Sequence, residues 1–320
     1  MLEFHGLYTS QLKEYIAFKR NLGYRYASEY TFRTFDRFTI EQGCTTLGLT
    51  REICELWAIK RPNESDTTCY HRVNTIRNFS VYLSSSGFQS YVPRQVKNCK
   101  TDFVPYIFSK EEIQKFFSSC DSLPISGYSN TTWVLPALFR LVYGCGLRIS
   151  EALSLKCKDV DLQNQFIVVR ETKNGCDRIL PYSDSVAVAM EAYWCYREKL
   201  HVPEEYFFVK KNGDCCEASG VYKWFRKILY NAEISHGGRG IGPRIHDFRH
   251  SFSVHTLTSM AESGLDLYYS LPILSKYLGH KSLEATDKYV RLTADMYPEI
   301  LKEMDAICAY VFPEVRAYEA

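Results

Sequence analysis

A stretch without periodicity divides this chain. From residue 91 to 108 apolar residues recur at no helical or strand interval, and Pro93, Arg94, Lys97, Lys100 and Pro105 interrupt the run. Such a segment has no face to bury. The residues on either side of it must therefore build separate cores, and 320 residues are enough for two. The segment reads as a basic interdomain linker.

Residues 1–90 carry helical spacing. Leu12, Tyr15, Ile16 and Phe18 mark one helix ended by Gly23, and Tyr30, Phe32, Phe35 and Phe38 a second ended by Gly43. Ile53, Leu56 and Trp57 mark a short third, closed near Pro62. Asp66 is placed to cap a fourth, striped by Val73, Ile76, Phe79 and Leu83 and stopped at Gly87. The expectation is a compact bundle of about four helices. Arg72 and Arg77 lie off the stripe of the fourth helix, with solvation and phosphate contact equally open.

Beyond the linker, Ser109-Lys110-Glu111-Glu112 has the form of a capping box and opens a second domain, residues 109–297. Trp133 to Tyr143 predicts a helix broken by Gly144 and Gly146, with Arg148 opening the next short helix. Residues 165–170 and 177–181 read as strands joined by Thr172-Lys173-Asn174-Gly175, where Asn-Gly signals a hairpin and puts Lys173 near its tip. Helices resume over 184–200 and 219–232. The fold class is mainly α with a small antiparallel β-sheet. Residues 298–320 predict an amphipathic tail helix: Pro298 suits its first position, and Ile300, Leu301, Met304, Ile307, Cys308 and Val311 share a face until Pro313. That face packs on its own domain or on a neighbouring copy.

Composition excludes some classes. Hydrophobic residues at 46% and charged ones at 24% suit a soluble globular chain. No apolar run is long enough to span a membrane, and residues 1–10 lack a signal-peptide pattern, so the cytoplasm is the expected compartment. The twelve cysteines include no Cys-x-x-Cys pair and read as small buried hydrophobes, with no metal expected. Net charge is only +2, but residues 1–100 hold fourteen Lys/Arg against nine Asp/Glu, whereas residues 296–320 hold two against five. The basic excess thus lies away from an acidic tail, as a phosphate-binding face requires.

The last third carries the chemistry. His246-Asp247-Phe248-Arg249-His250 is followed by Leu278-Gly279-His280 and then Tyr289, while Arg148 stands in Gly146-Leu147-Arg148-Ile149-Ser150-Glu151. Breaking a phosphodiester needs charge neutralisation on the non-bridging oxygens, a nucleophile, and a proton for the leaving oxygen. Arg148 and Arg249 can each fork two hydrogen bonds to phosphate, about 1.5–3 kcal/mol apiece for charged pairs. His280 can donate a third. His246 can orient Arg249, three residues on, or accept the nucleophile's proton. A free tyrosine is ionised to only about one part in a thousand at pH 7, and two arginines would raise that fraction. Attack by Tyr289 would give an aryl phosphodiester that conserves the energy of the broken bond. Lys173 is the candidate acid for the departing sugar oxygen.

Singly, none of these residues means much. Tyrosine fills 24 of the 320 positions, so Tyr268, Tyr269, Tyr277 and Tyr297 are ready decoys, and Arg148 alone could simply pair with Glu151. In this order the set resembles the tyrosine recombinase (phage integrase) family, whose arginine, lysine, His-x-x-Arg, histidine and tyrosine map onto Arg148, Lys173, His246, Arg249, His280 and Tyr289. The resemblance covers 109 to about 295, and residues 1–90 are more loosely similar to the family's helical core-binding domain. Between Gly264 and Gly279 the chain departs from the family's spacing by about four extra residues, placed at 268–272. The likeness is greater to transposon-borne members than to the housekeeping Xer type.

The resemblance implies a mixed α/β catalytic domain and a helical DNA-binding domain. It also implies a homo-tetramer on double-stranded DNA carrying specific recombination sites, with accessory recombination proteins as further partners. Strand exchange would pass through a 3′-phosphotyrosyl intermediate and a Holliday junction, with no cofactor, and the tail helix would dock in trans. The rivals are a type IB topoisomerase-like nicking-closing enzyme and a catalytically silent DNA-binding protein.

Overall fold

The computed structural model describes residues 3–24, 29–94, 104–170, 177–238 and 241–280, with 282, 286, 288–290 and 292–293. Lys173 and the expected tail helix, residues 298–320, lie outside the described residues, as does the centre of the linker, 95–103. The chain forms two compact units, Met1–Phe103 and Val104–Ala320.

The first unit holds α1 (Thr9–Asn21), α2 (Glu29–Glu41), α3 (Arg51–Ala58) and α4 (Asp66–Ser85). Its core is aromatic, with Tyr15, Phe32, Phe35, Trp57 and Phe79 packed edge-on or tilted against one another. Rings at centroid distances near 5–6 Å supply most of the apolar area a small bundle can bury. Phe18, Tyr30 and Leu56, expected on the apolar stripes, are instead exposed, each lying off the buried arc of its helix. The cap of α4 also differs from expectation. Ser65 Oγ accepts the Thr68 amide at 3.2 Å, and Asp66 stands one residue inside the helix, paired with Lys60.

Arg72 is neither solvated nor turned outward. It is 7% exposed, donates to both Glu64 carboxylate oxygens at 2.8 Å, and reaches the carbonyls of Trp57 and Ile59. Arg77, half-buried, donates to the Pro93 carbonyl at 3.1 Å. That bond belongs to a wider correction. Residues 88–94 fold back on the first unit, the Tyr91 amide bonding to Leu49 O at 2.7 Å and its carbonyl accepting from Ser80. At the other end Phe108 is fully buried in the second unit. The described ends of the expected linker are extended chain anchored by backbone hydrogen bonds, which leave no hydrophobic period to read.

The second unit comprises α5 (Lys110–Asp121), α6 (Thr131–Gly144), α7 (Ile149–Leu153), β1 (Val160–Asp161), β2 (Phe166–Val169), β3 (Arg178–Pro181), α8 (Asp184–Glu198), α9 (Ala218–Asn231), α10 (Asp247–Glu262) and α11 (Leu267–Leu278). The expected capping box opens α5, with Ser109 and Glu112 each bonding the other's backbone amide. The apolar helix α6 packs on α5, α8 and α10. The strands form one antiparallel sheet in the order β1-β2-β3, with Phe166 opposite Pro181 and Val169 opposite Arg178. The predicted hairpin is therefore present, and β1, too short to leave a pattern, joins it. The expected insertion at 268–272 lies inside α11, which runs on through Pro272.

One aromatic cluster fixes the chemistry-bearing segment. Phe248, fully buried, lies 4.9 Å from the ring of Phe116, 5.0 Å from Phe108 and 5.6 Å from Phe225. It anchors the start of α10 on one side, while its neighbours Arg249 and His250 turn toward another set of partners.

Candidate active site

Three guanidinium groups share one carboxylate. Glu151 lies in the first turn of α7, where its carboxylate accepts the Arg148 amide at 3.0 Å and the Arg148 side chain at 2.7 Å. Arg178, on β3, donates to it at 2.8 Å, and Arg249 stands 3.9 Å away. Burial opposes the charge on Glu151, but Arg178 and Arg148 prevail and hold its carboxyl below the usual range. One negative charge among three positive ones leaves a cationic surplus, which an anion would stabilise.

Arg249 is only 1% exposed. Its guanidinium donates to the carbonyls of Gly146 (2.8 Å) and Leu278 (2.7 Å) and to His280 Nε2 (3.0 Å). Burial, then the nearby Arg148, push it down to about 10. The close approach at Gly146 depends on glycine. Its φ is +57°, and an added Cβ would lie 2.5 Å from the Phe252 ring, so any side chain would strain both backbone and packing.

A guanidinium can only donate, so the bond to Nε2 assigns the His280 proton to Nδ1, which donates to Thr286 Oγ1 at 2.8 Å. In this arrangement His280 braces Arg249 rather than presenting a free N–H to phosphate. Burial and the neighbouring arginines bring it down to about 4, so it is neutral.

Residues 288–290 are helical and place Tyr289 in the same cluster. Its side chain is 1% exposed and its ring is stacked on His280 at 6.3 Å, over a small core with Val254, Leu257, Leu274 and Leu278. The phenolic oxygen lies 2.9 Å from His250 Nδ1. Burial raises the phenol above its ordinary value, while Arg249 pulls the other way. Lys288 lies 5.1 Å from the tyrosine ring, its ammonium lowered by desolvation and by Arg249.

His246 precedes α10 and remains exposed. Its ring meets that of His250 edge-on at 4.8 Å, and its link to Arg249 is a backbone hydrogen bond, Arg249 N to His246 O at 3.1 Å. Although the residue keeps contact with solvent, desolvation by the protein around its ring, then Arg249 and Arg148, hold it down to about 4. Asp247, 1% exposed, accepts the Arg244 amide at 2.8 Å and its guanidinium at 3.1 Å, pinning this entry to the helix. A cavity of about 560 Å³ opens beside Arg148, lined also by Lys156, Lys158 and Arg170.

The structure thus brings Arg148, Arg249, His280 and Tyr289 together, with His246 adjoining. The strands on either side of Lys173 pair as expected, and Lys173 itself lies outside the described residues. Sequence reasoning did not single out Arg178, His250 or Thr286. His250 stands within the quoted motif, but no spacing rule says which of its two histidines meets the tyrosine.

The profile of the Phage integrase family matches residues 107–296. The chain belongs to this family. Phage integrase relatives include the tyrosine recombinase XerD of Listeria innocua, 26% identical over 306 residues that cover 93% of each chain. The tyrosine recombinase XerA of Pyrococcus horikoshii is 29% identical over 228 residues, covering 71% of this chain and 70% of that one. In fold the chain resembles the Tn1549 transposon integrase solved with transposon right-end DNA, at a TM-score of 0.62 and 18% identity, covering 91% of this chain and 99% of the other. As a tyrosine recombinase of the phage integrase family, the chain is an enzyme that cleaves and rejoins DNA strands. Among the described residues no helix is long and apolar enough to cross a membrane.

Proposed function

We propose that this site-specific recombinase serves a mobile element as an integrase or transposase, with Tyr289 as the nucleophile that forms a 3′-phosphotyrosyl bond. Arg148 and Arg249 bind the non-bridging oxygens of the scissile phosphate, and Glu151 fixes the orientation of Arg148. His280 braces Arg249, His246 flanks the phosphate, and Lys173 on the β2–β3 hairpin protonates the departing 5′-oxygen. The reading is carried by one observation: the buried phenol of Tyr289 shares a cluster with both arginines, where surplus positive charge favours phosphate and phenolate alike.

The wider expectations belong to the same proposal. The first unit acts as the core-binding domain and residues 298–320 dock in trans. Four copies exchange strands through a Holliday junction on two DNA sites, with accessory recombination proteins assisting, in the cytoplasm at the nucleoid. On suicide DNA carrying the element's ends, Tyr289→Phe is expected to bind normally and to form no covalent adduct. Persistent adducts would move the nucleophile to another tyrosine, and relaxation of plasmids lacking any cognate site would favour the topoisomerase reading.

A further inference from the structure

We infer that His250, rather than His246, takes the hydroxyl proton of Tyr289 as that oxygen attacks phosphorus. This rests on Tyr289 being the nucleophile. The geometry is direct: His250 Nδ1 lies 2.9 Å from the phenolic oxygen, and both side chains are almost wholly buried, at 4% and 1% exposure. A buried O–H takes any acceptor within reach, and a general base must sit about 2.6–3.2 Å from the proton it removes. His246 is exposed and meets His250 through an edge-on ring contact and a backbone bond from the His250 amide to its carbonyl at 3.4 Å.

The step balances. The Tyr289 O–H bond breaks, its proton moves to Nδ1, and the oxygen's electron pair forms the bond to phosphorus. The 5′-oxygen leaves with a proton from the acid on the other side. In the rejoining direction the 5′-hydroxyl attacks, its proton passing to the conjugate base of that acid, and the imidazolium returns its proton to the departing phenolate.

The charged and titratable groups around the pair are Arg244 and His246 just before α10, Arg249 in its first turn, Lys288 and His280 beside the tyrosine, and Arg148 across the site. Burial first, then His246 and the cations, bring His250 down to about 3, so Nδ1 keeps a free lone pair at neutral pH. In the DNA-free protein the transfer is uphill, because burial also raises Tyr289. An anionic phosphodiester between the arginines offsets the cationic share of that depression. The base thus becomes competent where DNA is bound.

The test uses single-turnover adduct formation by the full chain on suicide DNA. In His250→Asn, Oδ1 can still accept the hydroxyl but cannot carry its proton. DNA binding should persist while cleavage falls roughly 10²–10⁴-fold, and the residual rate should climb with pH through the alkaline range where wild type is flat. Replacing Tyr289 by 3,5-difluorotyrosine in that variant, which lowers the phenol's own pKa, should restore much of the rate. An unchanged or faster rate, a flat pH profile, or no recovery with the fluorinated residue would each overturn the role. Should the asparagine variant lose DNA binding, His250→Gln decides by the same three readings. Adducts persisting in Tyr289→Phe would sink the nucleophile reading itself. Their loss there, with His250→Asn unaffected, would sink only this inference.

Discussion

Arg72 in the first unit and Arg249 in the second are both buried, and the two are held in opposite ways. Arg72 has a carboxylate of its own. Both Glu64 oxygens accept from it, two backbone carbonyls take other donors, and Glu64 in turn is held down to about 2, first by Arg72. Its own charge is favoured above the ordinary value. Arg249 is buried more deeply against two carbonyls and a neutral histidine, shares Glu151 with two other guanidiniums, and is pushed down to about 10. A buried cation matched by its own acid is a structural tie. One left in surplus, inside a converging cluster, is poised for an anion from outside.

The largest expected effect tests the second half of that contrast. Arg249→Ala removes a preorganised charged donor and should slow suicide-substrate cleavage by roughly 10³-fold or more while DNA binding remains. Cleavage within about threefold of wild type would put Arg249 among the structural ties, beside Arg72.

Arg72→Met breaks a buried pair and should cost about 3–5 kcal/mol by chemical denaturation of the first unit. Adduct formation per folded molecule should not change. A cleavage defect at temperatures where the variant is fully folded would end the distinction between the two arginines.

The smallest effect separates the units by pH. His246, His250 and His280 are depressed to between about 3 and 4, so they contribute stability above their unfolded value near 6.5 and lose it as pH falls through that range toward 4. Glu64 is also depressed, but its unfolded value is near 4.5, so the Arg72 tie weakens only below that point. Hydrogen exchange between pH 6.5 and 4.5 should therefore show α10 loosening while α4 holds. Equal loosening of both would mean that the histidines are not neutral in the fold.

Much of this was legible in the sequence. The stripes of α2 and α4, the capping box of α5, the antiparallel pairing of β2 with β3 and the two glycines before Arg148 each rest on local periodicity or local backbone chemistry, which a sequence displays directly. The fate of Arg72 was hidden because it depends on Glu64 and on carbonyls at the end of α3 and just beyond it, long-range partners that no helical period describes. Likewise the spacing rule tied His246 to Arg249 as neighbours on a helix. Because α10 begins at Asp247, His246 lies before its first turn, and the residue facing the tyrosine is His250. Arg178 left no signal at all: in sequence it is one polar residue of a short strand, and only the sheet register carries it to Glu151.

The carbonyl of Leu278 that holds Arg249 comes from the end of α11, and His280 and Tyr289 come after it. During synthesis, then, a growing polypeptide has its first arginine long before it can lock the second one in place or complete the cluster with Tyr289. A product that ends before residue 280 therefore has neither the histidine brace on Arg249 nor the tyrosine of this cluster.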